Sequence, residues 1–514
     1  MLEERMTTKF KTYDKEDLEK IKARTAENET SRKKQHKDSR YVRWEDDDVY
    51  KGSFSRLDLK EGSKVKNSGG MPMYYDGQFA GVEDRDVHTL IFGSTGSKKT
   101  RLCILPTLYT LAISGESFIA TDTKGELYDR LADTLKANGY RTVILNFRDP
   151  QSGNCWNPLD LPYMYYQDPG TKDLGREMMA DLAANIIPIS SADPYWDLSA
   201  RNTLNGFTEM VFRNCASPEE VNMKSVCRLK AESLNGDLSD IKEYLSKIRT
   251  TSQTEFSNLS GIAHLTADTT RSCISSIFDT HTQIFSTNDS MSQMMSRTDF
   301  DVETIGFEKT AVFLMIPDEK TTYNKLLSIF IKQVYEKMIT EANKTETNTL
   351  PIRVNYVLDE FGNIPTITGF PSMISAARSR NIRFFLAVQT IAQITSHYPL
   401  DSEVIRSNCN NHVYLYSNDL YTLEKMSKLA GTKKNGEPLV TISMLQHLSK
   451  EKGEAYVICG ERRLFPYITT LRDIDEILPF KKKEPIQKLN PKPVKTLSFR
   501  NCRYGKTPES SSFF

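Results

Sequence analysis

Metal-binding and disulfide patterns are missing from this sequence. Its eight cysteines are scattered over 514 residues, without a C-x-x-C pair and without a histidine at metal-ligand spacing nearby. This placement argues against a structural zinc site and against a disulfide framework. Scattered cysteines of this kind are typical of a reducing compartment, so we expect a cytoplasmic protein.

Long apolar runs are also missing, and neither sign of charge is in excess. No uninterrupted stretch reaches the ~20 apolar residues that a membrane-spanning helix requires. Residues 1–51 are highly charged and lack the apolar segment of a signal peptide, so we expect a soluble chain. The 68 Lys and Arg residues nearly balance the 67 Asp and Glu residues. Composition therefore gives no indication of a nucleic-acid-binding surface.

Short apolar runs alternate with longer helical segments from about residue 88 onward. A hydrophobic content of 38% suffices for a buried core. The runs are rich in β-branched and aromatic residues, as buried strands are. They are His88–Phe92, Ser117–Thr121, Arg141–Phe147, Thr310–Ile316, Ile352–Leu358, Ile382–Val388 and His412–Tyr416. Their alternation with helices predicts an α/β fold with a mostly parallel sheet.

Composition also divides the chain into regions. The strand pattern disappears between Asn157 and about Phe300, where helical periodicity replaces it, and the end of the chain is rich in Lys, Pro and Ser. We predict a charged N-terminal arm and lead-in (1–80), a discontinuous nucleotide-binding domain (81–160 and 301–475), an inserted all-α domain (161–300) and a flexible tail (476–514).

The strongest chemical signal follows the first predicted strand of the α/β region. It is the octapeptide Gly93, Ser94, Thr95, Gly96, Ser97, Lys98, Lys99, Thr100. A loop of this kind between a strand and a helix gathers backbone N–H groups around phosphates, while Lys99 contacts the β and γ phosphates and Thr100 binds Mg²⁺. The alternative is an ordinary strand-to-helix turn that contains glycines.

This loop departs from the usual G-x-x-x-x-G-K-[ST] pattern at one position. Lys98 stands where the pattern has a glycine directly before the lysine. If the backbone at this position requires a positive φ, the side chain costs roughly 1 kcal/mol. We assign the phosphate contact to Lys99 and regard Lys98 as a supplement to it.

A second carboxylate motif ends the strand Val354–Leu358. Asp359 and Glu360 follow it directly, as in a Walker B motif. We expect Asp359 to hold Mg²⁺ and Glu360 to polarise the water that attacks the γ-phosphate. By itself, a strand that ends in two acids is equally consistent with a cap that faces solvent.

Further candidates lie next to neighbouring strands. Gln389 ends the strand Ile382–Val388 and is our candidate sensor of the γ-phosphate; alternatively it is only a polar residue at a helix start. Arg378 and Arg380 precede this strand and are candidates for trans-acting arginine fingers, or else surface residues. Asp122 and Lys124 end another strand at the nucleotide crevice, where a turn is an equal alternative.

Several segments together resemble the coupling proteins of type IV secretion systems, relatives of hexameric DNA pumps. The similarity covers about residues 85–475. The segments are Gly93–Thr100, Asp122–Glu126, Trp156–Asp160, Tyr195–Ser199, Leu358–Gly362, Ala377–Arg380 and Leu386–Thr390.

The resemblance implies a RecA-like P-loop NTPase with an all-α domain, homo-hexamers, and ATP and Mg²⁺ as ligands. It implies DNA-stimulated hydrolysis that moves DNA, with a single strand favoured, and delivery of relaxase-bound DNA to the secretion channel. Many relatives carry N-terminal membrane helices, which this sequence lacks. We therefore expect attachment to the cytoplasmic face of the bacterial membrane through a separate subunit.

Two other functions remain open at this stage. A nucleotide-binding adaptor that recruits the relaxosome with little ATP turnover would explain the altered loop. A small-molecule kinase is disfavoured by the length of the chain and the helical insertion. Lys224, Arg228 and Lys230 are candidates for contacts with DNA in a pore, although a solvated helix face explains them as well.

Overall fold

The computed structural model of the protein describes most of the chain. The described residues are 42–62, 65, 67–190, 192–234, 238–265, 267–317, 323–480, 483 and 485–502. Residues 1–41 of the predicted arm and 503–514 of the predicted tail lie outside this part. Within it, no helix is both long and apolar enough to cross a membrane.

A nine-stranded sheet forms the centre of the molecule. Its strands are β4 (Thr89–Phe92), β5 (Ser117–Asp122), β6 (Arg141–Asn146), β7 (Thr310–Met315), β8 (Val354–Leu358), β9 (Ile382–Val388), β10 (Asn411–Tyr414), β11 (Glu454–Cys459) and β12 (Tyr467–Thr470). The spatial order is β12-β11-β10-β4-β9-β8-β5-β7-β6. In this spatial order, the strands from β10 through to β6 are all parallel to one another. Strands β11 and β12 lie at the other edge and pair in an antiparallel manner.

Helices cover both faces of this sheet, which is why its central strands are buried and largely apolar. Strands β4, β5, β7, β8 and β9 are buried at every residue. Ile91 contributes to the core under α2 (Leu105–Ile113) and α3 (Glu126–Ala137). Its neighbours Leu90 and Phe92 contribute to the opposite core, together with α12 (Asn324–Asn343) and α13 (Phe370–Ala377). The predicted α/β class with a mostly parallel sheet is confirmed.

Between β6 and β7, in the interval of the predicted all-α insertion, the described residues form eight α-helices. They are α4 (Asp160–Gln167), α5 (Lys172–Ile186), α6 (Pro194–Asn214), α7 (Met223–Leu234), α8 (Ser239–Ile248), α9 (Gln253–Ala263), α10 (Asp268–Ser286) and α11 (Asp289–Met294). The helices that follow β9 along the chain are α14 (Ile391–His397), α15 (Ser402–Asn408), α16 (Leu420–Ala430), α17 (Ile442–Gln446), α18 (Ile474–Ile477) and α19 (Phe499–Cys502).

The structure differs from the predicted N-terminal arm for residues 42–80. Asp46 caps helix α1 (Asp47–Lys51) by accepting from the amides of the first turn, so the acidic cluster begins a helix. An antiparallel sheet follows, formed by β1 (Ser55–Asp58), β2 (Met71–Asp76) and β3 (Phe79–Glu83). Its apolar residues pack against α2 and form part of the core, so residues 67–83 belong to the folded domain.

The structure also differs from the predicted flexible tail for residues 485–502. Their backbone bonds first to the segment after β6, where Leu489 N donates to Gln151 O. Farther along, Leu497 and Phe499 are buried against the all-α domain, and Phe499 N donates to Glu232 of α7. A few apolar side chains in a polar segment thus hold it along both domains.

Candidate nucleotide site

The loop Gly93–Thr100 connects β4 to a π-helical turn (Thr100–Ile104) that continues into α2. Gly93 N donates to Val388 O of β9, and Ser94 N donates to Tyr416 O beyond β10, so both neighbouring strands fix the start of the loop. A Cβ at Gly93 would lie 2.3 Å from Ser97 Oγ, which explains the glycine. Gly96 has a φ of 76°, the left-handed region that favours glycine.

Lys98 adopts a backbone conformation that is strained for a residue with a side chain. Its φ is 64°, so a lysine occupies a left-handed position where the usual motif has a glycine. The loop tolerates this conformation because bonds on both sides hold it: Ser97 N donates to Ser94 O, and Leu102 N donates to Lys98 O. The lysine therefore lowers stability locally, but the backbone of the loop keeps the conformation that a glycine would adopt at this position.

Replacement of Lys98 by Gly is expected to stabilise the folded protein by about 1 kcal/mol, because it removes a side chain from a left-handed backbone. Thermal unfolding measures the change. Gly96→Ala is the matched control: open space surrounds its Cβ position, so the left-handed φ alone should lower stability. A destabilised Lys98→Gly variant would show that contacts of the Lys98 side chain outweigh the backbone strain.

Lys99 and the second carboxylate of the Asp-Glu pair face each other across the site. Lys99 is 5% exposed, and its Nζ donates to Gly93 O at 2.6 Å. The same Nζ lies 3.6 Å from Glu360 Oε1. Gln389 Nε2 donates to Glu360 Oε2 at 3.2 Å, and Gln389 Oε1 lies 3.5 Å from Thr95 Oγ1. The structure therefore brings Lys99, Glu360 and Gln389 together beside the loop.

Thr100 and Asp359, the neighbours of Lys99 and Glu360 along the chain, are also in contact. Thr100 Oγ1 donates to Asp359 Oδ2 at 2.7 Å, and Glu360 N donates to Asp359 Oδ1 at 3.0 Å. Burial raises the pKa of Asp359, and the bond from Thr100 opposes this shift. A hydroxyl and a buried carboxylate oxygen in contact are oxygen ligands of the kind that Mg²⁺ prefers. These two residues therefore suit the predicted metal role.

Sequence reasoning missed Thr121 as part of this site. Its Oγ1 donates to Asp359 O at 2.8 Å, which ties the end of β5 to the end of β8. The adjacent Asp122 is 1% exposed, and its Oδ2 accepts from the amides of Leu127 and Tyr128 at the start of α3. Burial raises the pKa of Asp122 to about 7. This contact fits the alternative in which Asp122 shapes a turn, and Lys124 is exposed.

The structure places Arg378 and Arg380 away from the loop of their own chain. Both precede β9, whereas the loop follows the parallel strand β4, so the arginines lie at the opposite edge of the sheet. Arg378 lies 3.4 Å from Glu461, and Arg380 Nε donates to Asn343 Oδ1. A contact with phosphate is open to them only across an interface between subunits.

The candidate pore residues of the all-α domain each pair with a carboxylate. Lys224 lies 3.2 Å from Asp289, Arg228 lies 2.7 Å from Glu232, and Lys230 lies 2.7 Å from Asp279. For Lys224 and Arg228 these pairs support the alternative of a solvated helix face, whereas Lys230 is buried and lies on no such face.

Arg101, the residue after Thr100, makes another contact that the sequence did not reveal. Arg101 makes a bidentate contact with Asp473, with Nε and Nη2 both about 3 Å from its carboxylate, and it also contacts Asp475. Asp473 caps α18, so the segment after β12 is fixed beside the phosphate-binding loop. No local signal marks this pair because the partners are 372 residues apart.

Comparison with known proteins places this site in context. The family model described as "Type IV secretory system Conjugative DNA transfer" matches residues 11–486, which is more than half of the chain. No curated protein matches the sequence.

Solved structures of a conjugative coupling protein are similar in fold. TrwBdeltaN70 in an unbound form is 15% identical, with a TM-score of 0.55, and the match covers 85% of this chain and 97% of that chain. TrwB with the ATP analogue ADPNP is 14% identical, with a TM-score of 0.58 and the same coverage. TrwB with ADP and Mg²⁺ is 15% identical, with a TM-score of 0.54 and coverage of 85% and 98%. These likenesses show that the chain shares the fold of TrwB.

Proposed function

We propose that this chain, which belongs to the type IV secretory family of conjugative DNA transfer proteins, couples ATP hydrolysis to the movement of DNA into a secretion channel. The observation that carries the proposal is the convergence of the loop Gly93–Thr100, Asp359, Glu360 and Gln389 at one edge of the sheet. A turn that merely contained glycines would not require these long-range contacts.

Each residue of the site has a role that its contacts support. The loop amides and Lys99 bind the β and γ phosphates of ATP, as loops of this shape do. Thr100 and Asp359 would hold Mg²⁺, which neutralises charge on the phosphate oxygens when it is bound. Glu360 orients the attacking water and accepts its proton, and Gln389 holds the Glu360 carboxylate in place. Ser97 Oγ is buried without a hydrogen-bond partner among the described residues, which also fits a phosphate cradle.

The wider assembly is part of the same proposal. A homo-hexamer would bring Arg378 or Arg380 of one subunit to the nucleotide of its neighbour, where arginine stabilises the charge of the transferred phosphoryl group. The favoured substrate is single-stranded DNA bound to a relaxase. We propose that the protein acts at the cytoplasmic face of the bacterial membrane, attached through a separate membrane subunit.

Steady-state ATP hydrolysis with and without DNA tests this function. We expect single-stranded DNA to raise the rate, and we expect Lys99→Ala to lower kcat/KM for ATP about 10²–10³-fold, because a preorganised donor to the phosphates is lost. Lys344→Ala is the control, since Lys344 is exposed at the end of α12 and pairs with Glu341. A rate that DNA does not change would contradict the motor function.

A second function is favoured by one observation, the strained Lys98 in the phosphate-binding loop. In this alternative the protein binds nucleotide, turns it over slowly and serves as an adaptor for the relaxosome. Nucleotide binding without turnover under any DNA condition would support the adaptor. If Lys98→Gly then produced turnover, the altered loop would be the reason for the slow rate.

A further inference from the structure

We infer that a cleft between the all-α domain and the sheet domain binds the phosphate backbone of a nucleic-acid strand. This inference rests on the proposed function. The cleft has a volume of about 530 Å³. The end of α5 with Arg201 of α6 and His281 of α10 forms one wall, and the start of α12, the loop 365–368 and the end of α14 form the other. We call it the basic cleft, after its lining residues Arg201, His281, Lys325 and His397.

Two cations, Arg201 and Lys325, line the basic cleft, and its described lining residues include no carboxylate. Two imidazoles complete the polar lining, and burial lowers the pKa of His281. Arg201 donates to the carbonyls of Ile187 and Ala184, and Lys325 Nζ donates to His281 O at 2.9 Å. These contacts are with neutral oxygens, so they do not neutralise either cation.

One nearby acid offsets part of this charge. Asp197 is 1% exposed, its Oδ2 accepts from Ser190 N, and it interacts electrostatically with Arg201 and His281. Lys325 is therefore the cation on which the inference depends. Burial lowers the pKa of Lys325, and no described carboxylate opposes this shift. A half-buried ammonium without an acidic partner gains most from an anion supplied by a ligand.

Lys325 of the basic cleft differs from the cations of α7 in having no carboxylate partner among the described residues. Lys224, Arg228 and Lys230 already contact Asp289, Glu232 and Asp279. A nucleic-acid backbone would have to displace a carboxylate from each of them. In the basic cleft a phosphate meets Lys325, on which no described carboxylate acts, so binding to this ammonium carries no such cost.

The basic cleft also contacts the loop that carries the proposed catalytic base. His397 Nε2 lies 3.0 Å from Gly362 O, two residues after Glu360. Thr366, on the same loop, donates to His397 O at 2.9 Å. A strand bound in the cleft would therefore act on the backbone that positions Glu360, which gives a direct route for DNA to stimulate hydrolysis. Because the proposed function requires DNA to stimulate hydrolysis, this route favours a nucleic acid as the ligand.

Binding of a fluorescent single-stranded oligonucleotide over a series of salt concentrations tests the basic cleft. We expect Lys325→Gln to weaken binding about tenfold at low salt, because a hydrogen bond to a charged group is lost. The slope of log K against log salt should fall by about 0.7, the value for one phosphate contact on a single strand. Lys325→Arg should restore both quantities. Lys344→Gln, directly after the same helix but paired with Glu341, should change neither.

The outcomes separate this inference from the proposed function. If the wild-type protein binds no oligonucleotide, both are wrong. If it binds and its hydrolysis is stimulated, but Lys325→Gln has the wild-type affinity and slope, only the assignment of the cleft is wrong. Competition by poly-glutamate at lower concentration than an oligonucleotide of equal charge would assign the cleft to an acidic protein. Thermal unfolding of each variant excludes a loss of folding as the cause.

Discussion

Replacement of Glu360 by Gln is expected to lower kcat for ATP hydrolysis about 10²–10⁴-fold while ATP binding is retained, because an amide cannot accept the proton of the attacking water. The side chain is well placed for this test. One carboxylate oxygen faces Lys99 and the other accepts from Gln389. Glutamine has nearly the same shape, so the loop and its contacts with nucleotide should remain.

Two measurements distinguish a loss of chemistry from a loss of structure. Single-turnover hydrolysis reports the chemical step, and titration with a fluorescent ATP analogue reports the dissociation constant. Glu243→Gln is the matched control, since Glu243 is an exposed glutamate of α8 that pairs with Lys247. If kcat of Glu360→Gln stayed within a few-fold of wild type, another group would have to be the base.

Local sequence patterns predicted most of the residues that converge at the candidate nucleotide site. Gly93 and Thr100 stand at motif spacing, and Asp359 follows an apolar strand, so each could be found from its neighbours along the chain. Parallel topology then predicts that the ends of these strands meet at one edge. The strain at Lys98 was also foreseeable, because a glycine position in a known loop implies a backbone that other residues adopt at a cost.

Contacts between distant segments could not be predicted in the same way. The bond from Thr121 to Asp359 and the pair of Arg101 with Asp473 join residues that are hundreds of positions apart. Neither leaves a periodic pattern. The same reason accounts for residues 485–502, where Leu497 and Phe499 are isolated apolar residues in a polar segment and their partners lie on the all-α domain.

The folded region before β4 depends on a buried ionic cluster that the sequence did not reveal. Arg383, at the amino end of β9, is fully buried, and its Nη2 donates to Glu116 Oε2 at 2.9 Å. The same guanidinium donates to the carbonyls of Gly69, Glu83 and Arg85, which belong to the lead-in around β2 and β3. Glu116 also lies 3.4 Å from Arg353. Arg353 also lies 2.8 Å from Asp86, so Glu116 is the direct ionic partner of Arg383 and shares Arg353 with Asp86.

Replacement of Glu116 by Ala is expected to destabilise the protein by about 3–5 kcal/mol, because it leaves buried positive charge without its partner. Denaturant unfolding measures the loss. Asp76→Ala is the control: Asp76 pairs with Arg56 on the exposed surface, where an ion pair contributes about 0–1 kcal/mol.

A double variant distinguishes the cost of leaving one buried charge unpaired from the net contribution of the ion pair to stability. Removal of one buried partner strands the other, whereas removal of both leaves no unpaired charge. Glu116→Leu combined with Arg383→Met should therefore be more stable than the sum of the single losses, by more than about 1 kcal/mol. Additive losses would instead mean that the carbonyls of Gly69, Glu83 and Arg85 compensate Arg383 without Glu116. In that case the N-terminal sheet would be held by hydrogen bonds to the guanidinium rather than by the ion pair.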